Sequence, residues 1–414
     1  WIAGLGQAAI AGIGFVTPIF MILNGVSVGL GSGATSSISR FVGAKNQQKA
    51  SQSAEHSLLI ILIASIILTI VLLISQKTLL ISYGATGQAL DEALNYATPL
   101  FLGLIGFMFA NGASGILRGE GDMKRAMYAV IVSVILNAIL DPIFIYVLGF
   151  GSAGASLATV FSSVSSACVI LYWILIKKDT YIDVKLKKFK WDSNIVKDIL
   201  KVGIPASIDM FVMSIAMSMY LSFIATIGGE YGIAAFSSGN RLYLFAIMPL
   251  TAIGSAVTAV SGSAYGAKNG EYISRAHIFG SKFGILFGSA VTILLVVFAP
   301  QLSLLFAYTS DTAALVPGIT QYLRIACLCL PFTGAGMVSS FLYQGLGKGF
   351  MSLSWTIIRE VIFTVSLTYL FGIIIGWGLI GIWSGIALGR TLASVLNFIT
   401  ARFTIRHVRS NLVK

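Results

Sequence analysis

Runs of about twenty apolar residues recur from one end of this 414-residue sequence to the other. A run of that length, wound as a helix, is enough to cross the hydrocarbon core of a bilayer. In lipid every backbone N–H and C=O must be satisfied internally, so only helices and closed β-barrels can span. The aromatic residues are scattered, and no stretch alternates apolar and polar with the period of two that barrel strands require. Only 10% of the residues are charged and 57% are hydrophobic, against about 25% charge in a soluble domain. The chain therefore reads as an all-α integral membrane protein.

Hydropathy places eleven helical spans at about 8–36, 53–75, 93–116, 125–148, 154–177, 202–227, 231–259, 276–300, 314–343, 351–375 and 379–404. The net charge of +12 sits in short loops and is no sign of nucleic-acid binding. Basic residues follow the odd-numbered spans: Arg40, Lys45 and Lys49; Arg118, Lys124 and Arg125; the Lys177–Lys190 loop; Lys268 and Arg275; Lys348; and Arg402 to Lys414. The alternate loops are acidic or neutral. One orientation satisfies them all, with the N-terminus outside and the C-terminus in the cytoplasm of a cell-membrane protein.

The sequence also repeats. G-Q-A-A-I-A-G at Gly6–Gly12 matches G-E-Y-G-I-A-A at Gly229–Ala235, and F-V-G-A-K-N at Phe41–Asn46 matches A-Y-G-A-K-N at Ala264–Asn269, both at an offset of 223 residues. R-G-E-G at Arg118–Gly121 matches Q-G-L-G at Gln344–Gly347 at an offset of 226. Self-similarity at a fixed period marks two structural halves. Both G-A-K-N copies fall on the cytoplasmic side, so the halves are expected to be related by a pseudo-twofold axis along the membrane normal. They are placed as an N-terminal lobe (1–177), a basic cytoplasmic linker (178–195) and a C-terminal lobe (196–414). A span precedes the second G-E-Y-G-I-A-A but none precedes its first copy, so a 6+6 arrangement is expected in which the first helix is missing.

Within the fourth span, L-N-A-I-L-D-P-I-F (Leu136–Phe144) carries an amide, an acid and a helix breaker. Asp141 lies about seven residues, roughly 10 Å, from the outer end of its span. A charge that deep costs at least a few kcal/mol unless it is paired or faces a wet cavity. Asn137 is one turn earlier on the same face, and Pro142 frees the carbonyl of Ala138 between them. The oxygen-rich group suits Na⁺ or H⁺; the alternative is an acid neutralised by a neighbouring helix for packing alone. At the offset of 226, the second half has Leu367 and Phe363 in place of Asp141 and Asn137, so the site looks confined to the first lobe.

These strings resemble the multidrug and toxic compound extrusion (MATE) family, nearest its prokaryotic DinF-like branch and archaeal members. The resemblance rests on W-I-A-G-L-G (Trp1–Gly6), G-I-L-R-G-E-G-D (Gly115–Asp122), L-N-A-I-L-D-P-I-F-I-Y (Leu136–Tyr146) and G-A-S-L-A-T-V (Gly154–Val160), and runs along the whole chain. It implies a two-lobe bundle around a V-shaped cavity, exporting amphipathic, often cationic drugs in exchange for H⁺ or Na⁺, as a monomer. Cation coupling falls on Asp141, Asn137 and Thr159, which would also be the ligands of a bound Na⁺. Tyr96 and Ser114 fall in the same polar cavity, the latter where close relatives have asparagine. A second coupling aspartate of the family would stand about two residues before Trp1.

Other residues read more plainly. Asp209 is expected to be solvated or to cap its helix. Arg359 and Glu360, being adjacent, are expected not to face each other, with Arg241, Arg324 or Arg390 as partners for Glu360. Met21, Met108, Met213, Met217 and Met219 are either packing residues or the lining of an adaptable cavity, Met213 being the cavity candidate. Cys168, Cys327 and Cys329 lack metal-ligand spacing, and His56, His277 and His407 are too scattered for a metal site or a catalytic dyad. G-L-G-S-G (Gly29–Gly33) and G-L-G-K-G (Gly345–Gly349) lack phosphate-loop spacing, so no enzyme activity and no cofactor is expected. Two other functions stay open: a lipid or lipid-linked oligosaccharide flippase, favoured if Arg241, Arg324 and Arg390 cluster, and a truncated non-transporting product.

Overall fold

The computed structural model describes residues 2–177, 179–185, 189–306 and 313–413. Among them there is no strand. The helices are α1 (Gln7–Gly43), α2 (Gln47–Ser82), α3 (Gly87–Leu102), α4 (Leu104–Glu120), α5 (Met123–Pro142), α6 (Gly151–Leu171), α7 (Ser193–Gly266) and α8 (Gly270–Val297), followed by Val316–Ala326, Leu330–Gly345, Gly349–Ile357 and Gly378–Val413 with shorter turns between. Nine described helices are long and apolar enough to cross a membrane. The expected span at 93–116 is a bent pair, α3 and α4, meeting at 51°, where Pro99 interrupts the ladder and Gly103 follows. The 74 residues of α7 are broken at Gly229 (φ 53°, ψ −146°), a conformation open to glycine, so α7 makes two spans. Counted this way, the spans number the expected eleven.

Local chemistry sets the boundaries. Asn46 accepts from the Lys49 N–H at 3.0 Å, Asp122 from Arg125 N–H at 3.0 Å and Asn269 from Tyr272 N–H at 2.9 Å, each capping a helix start. Side chains such as Ile74 and Phe279 are 79% and 72% exposed, as a lipid-facing surface requires.

The chain divides into two compact units at Ile208/Asp209, whereas the charge pattern puts the second lobe's start at 196. The difference lies in the first turns of α7. Asp198 accepts from Arg40 at 2.8 Å and from Ser37 at 2.9 Å, both on α1. A Cβ on Gly29 would lie 2.6 Å from the Ser207 amide, so only glycine allows that approach. In the first unit, Leu104, Met108 and Phe101 are fully enclosed with Val16 and Leu23. The second unit centres on Tyr220, Tyr243, Tyr322 and Trp383, with Phe236 stacked on Trp383 at 5.9 Å.

The repeat is visible atom by atom. Lys45 and Lys268 share φ 55°. Thr35 donates to the Gly115 carbonyl at 2.8 Å and its counterpart Thr258 to that of Phe341 at 3.0 Å. Asp122 N–H bonds Leu117 O, and Lys348 N–H bonds Tyr343 O, still at the offset of 226. Beyond that point the offset becomes 227. The π-turn Ile143–Val147 corresponds to Leu370–Ile374. Gly149 and Gly151 correspond to Gly376 and Gly378, all with positive φ. Leu148 N–H bonds Ile143 O as Ile375 N–H bonds Leu370 O. One extra residue has entered the second copy, and the π-helical stretch Ile358–Val365 is where it is taken up, since a π-turn accommodates a single insertion. The counterparts of Asp141 and Asn137 are therefore Thr368 and Thr364, not Leu367 and Phe363.

The loop after α6 is strapped to the first unit. Ile182 and Val184 are buried. Ile182 N–H donates to Glu120 at 3.3 Å, Asp183 N–H to Ser51 Oγ at 3.0 Å, Lys185 N–H to Glu55 at 2.7 Å and Asp192 N–H to His56 Nε2 at 2.9 Å. Asp179 is held by Lys177 at 2.9 Å and Arg125 at 2.7 Å; the hydrogen bond from Lys177 keeps its carboxyl below the usual carboxylate range.

Candidate functional site

Asp141 sits one residue from the end of α5, before Pro142 and the π-turn Ile143–Val147. Proline removes one backbone donor and the π-turn shifts the ladder to Leu148 N–H···Ile143 O, 2.9 Å. Asp141 is half-buried, and among the described residues it forms no ion pair within 4.0 Å. Tyr96, on α3, lies within its electrostatic reach.

Asn137 Nδ2 approaches Thr159 Oγ1 at 3.5 Å, a long contact. Thr159 donates to the Ala155 carbonyl at 3.1 Å, leaving its oxygen as an acceptor. With the amide nitrogen directed to Thr159, the Asn137 carbonyl oxygen is left for another partner. The structure thus brings Asn137 to Thr159 and puts Tyr96 in the field of Asp141, while no direct hydrogen bond joins Asp141 to this pair. Ser114 is buried on α4, with no hydrogen bond to any of them. A carboxylate, an amide oxygen and a hydroxyl are all hard oxygen donors, and of the three the structure brings the amide of Asn137 and the hydroxyl of Thr159 together. Among the described residues no three His, Cys, Asp or Glu side chains group as a metal site.

The second unit carries a different polar centre. Glu360 accepts from Arg359 Nε at 2.9 Å, from Arg390 at 3.5 Å and from Tyr220 at 2.8 Å. The Arg390 guanidinium lies 4.9 Å from the centre of the Tyr243 ring, a cation–π geometry. The side chains of Arg359, Arg390 and Glu360 are 12%, 13% and 4% exposed. This corrects the expectation that Arg359 and Glu360 cannot meet. The widened turn of Ile358–Val365 lets two adjacent long side chains point inward together. Of the partners considered for Glu360, Arg390 is the one used; Arg241 and Arg324 are exposed.

Asp209 is also corrected. Its helix starts at Ser193, so it caps nothing. Its Oδ1 is buried without a partner among the described residues, while the carboxylate interacts with the Thr356 hydroxyl and lies in the field of Arg359. Met108 is enclosed in the core, whereas Met21 is 60% exposed and Met213, Met217 and Met219 are 37–38% exposed. Cys327 and Cys329 are packed, but Cys168 is exposed. A cleft of about 530 Å³ lies beside Glu120, Asp122, Lys124, Asp179 and Tyr181, at the opposite end of α5 from Asp141. Sequence reasoning missed the strap, the threonine counterparts and the Arg40–Asp198 pair; a glycine pattern (Gly29, Gly33, Gly203) is the signal that could have located the last.

The MatE family model matches residues 1–143 and 205–370. The probable multidrug resistance protein YoeA of Bacillus subtilis is 28% identical over 315 residues, covering 74% of this chain and 68% of that protein. The probable multidrug resistance protein NorM of Thermotoga maritima is 28% identical over 307 residues, covering 73% of this chain and 65% of that protein. The chain thus spans about two thirds of the length of these two relatives. A crystal structure of MATE in complex with MaL6 superposes with a TM-score of 0.97 at 38% identity, covering 99% of this chain and 91% of that one.

Proposed function

Because the chain belongs to the MatE family, we propose that this multi-pass membrane protein is a secondary active multidrug antiporter. It exports amphipathic, cationic compounds in exchange for H⁺ or Na⁺, with the strap and C-terminus in the cytoplasm. Coupling is at Asp141, with Asn137 and Thr159 supplying neutral oxygens and Tyr96 completing the polar surroundings. The observation that carries the reading is an acid in a spanning helix with no ion pair among the described residues. An acid fastened by a permanent counter-charge cannot exchange a cation; one surrounded by neutral oxygens can take up and release it. When Asp141 is neutralised by H⁺ or Na⁺, its desolvation cost falls and the kinked end of α5 can repack. When it is empty, the charge draws polar groups or water back. A drug that binds only one of the two arrangements is then linked to the cation. The names of the relatives, multidrug resistance proteins, support the substrate class.

The test is ion-gradient-driven efflux of a fluorescent organic cation from vesicles carrying the full-length protein. Asp141→Asn should abolish the gradient dependence, and Asn137→Leu should weaken it. Wild-type efflux persisting in Asp141→Asn at every pH and sodium concentration would sink the site assignment.

A further inference from the structure

We propose that His56 is a proton-sensitive latch that holds the 189–192 part of the strap, and with it the start of α7, against α2. His56 is fully buried. Its Nδ1 is 2.7 Å from the Gln52 carbonyl, and its Nε2 is 2.9 Å from the Asp192 amide nitrogen. A carbonyl can only accept and an amide N–H can only donate. The ring must therefore be neutral, with the proton on Nδ1 and the lone pair on Nε2. Phe189 and Trp191 close over it, with ring centroids at 4.8 and 5.6 Å.

Adding a proton turns Nε2 into a second donor facing the donor of Asp192, so the closed strap and the imidazolium exclude each other. No carboxylate among the described residues is hydrogen-bonded to the ring to hold a charge there. Glu55, its neighbour on α2, is engaged by the Lys185 amide. The Asp192 carboxylate turns to the Asn194 N–H at 2.9 Å. Lys190 is exposed between the two aromatic residues. On α1 and α7, Arg40 and Asp198 are paired with each other, reached from α2 through Ser53 and Ser37. The other histidines are not locked in this way. His277 Nε2 meets the Ser339 hydroxyl at 2.9 Å, which can donate or accept, and His407 meets the Asn411 side chain at an exposed helix end.

Uptake of a proton by the ring as pH falls therefore opens the strap and frees the residues that lead directly into α7, and its loss as pH rises closes the strap again. The device reads the pH of the compartment the strap faces and does not involve Asp141.

Hydrogen exchange of the full chain in lipid nanodiscs, read by mass spectrometry from pH 8 to 5 with times scaled to the intrinsic rate, tests this. In the wild type, amides 189–192 should lose at least about tenfold in protection between pH 7 and 5. His56→Gln, which keeps one donor and one acceptor, should hold its protection across the range. Asp141→Asn should behave as wild type, which separates the latch from the coupling site. Should the glutamine variant pack poorly, labelled-histidine NMR of the wild type gives an independent reading: the Nδ1–H tautomer at pH 8, and an imidazolium appearing with the same midpoint as strap opening. A flat wild-type protection profile overturns the proposal, as does a ring that ionises while 189–192 stay protected.

Discussion

Asp141 and Glu360 occupy corresponding helices of the two repeats, and both are acids inside membrane-spanning segments, yet their surroundings are opposite. Glu360 is held by two guanidiniums and the Tyr220 phenol. Asp141 has no ion pair among the described residues; it stands one helical turn from the Asn137 amide and in the field of the Tyr96 phenol. The backbone beneath them is shared, down to the π-turn and the two positive-φ glycines that end each helix. What differs is the counter-charge. A compensated buried acid fastens helices together, because removing either partner strands a charge in a medium of low dielectric. An uncompensated one is available to a mobile cation. The second unit thus uses Glu360 for cohesion, while Asp141 of the first unit pairs with no counter-charge among the described residues.

The strongest way to break this contrast is to remove the Glu360 carboxylate. Glu360→Ala leaves two buried guanidiniums without their acid and should destabilise the protein by about 3–5 kcal/mol, read as a lowered unfolding temperature in detergent. An unchanged temperature would show that Glu360 fastens nothing. Next, Thr368→Asp places an acid at the true counterpart of Asp141. Thr368 is fully buried and its hydroxyl has no partner among the described residues, so the substitution should cost at least about 2 kcal/mol and confer no cation dependence on efflux. Third, Asp141→Asn should lower gradient-driven efflux by at least tenfold, a loss of about 1.4 kcal/mol in transition-state terms. Its stability should change by less than about 1 kcal/mol, since no ion pair is lost. The smallest effect should come from Thr368→Val, within about 0.5 kcal/mol of wild type by the same unfolding measurement, because an unpartnered hydroxyl contributes no hydrogen bond.

The candidate site was legible in part. An acid, an amide and a proline at Asn137–Pro142 stand out in any apolar run, because polar groups are costly there. Thr159 and Tyr96 came from resemblance, not from spacing, since neither lies on α5. The counterpart of Asp141 was misread by one residue because the repeated strings lie before the insertion, and an apolar helix gives no local sign of where an extra residue enters. Arg359–Glu360 was misread for the same reason: helical periodicity assumes 3.6 residues per turn, and Ile358–Val365 departs from it. The 178–195 stretch reads as a basic cytoplasmic linker, yet two of its own apolar residues, Ile182 and Val184, are buried.

By itself the sequence determined that the chain is helical and crosses a membrane many times, that it is built from two copies of one unit, and that Asp141 needs an explanation. Those properties are written along the chain, in the length of apolar runs, in offsets between strings and in the cost of a charge in lipid. Only the tertiary structure decided which acid is compensated, which residues are true counterparts, and that the linker is tied down by Ser51, Glu55 and His56. Those depend on side chains meeting across helices far apart in sequence, where a shift of one residue turns a group from one neighbour to another.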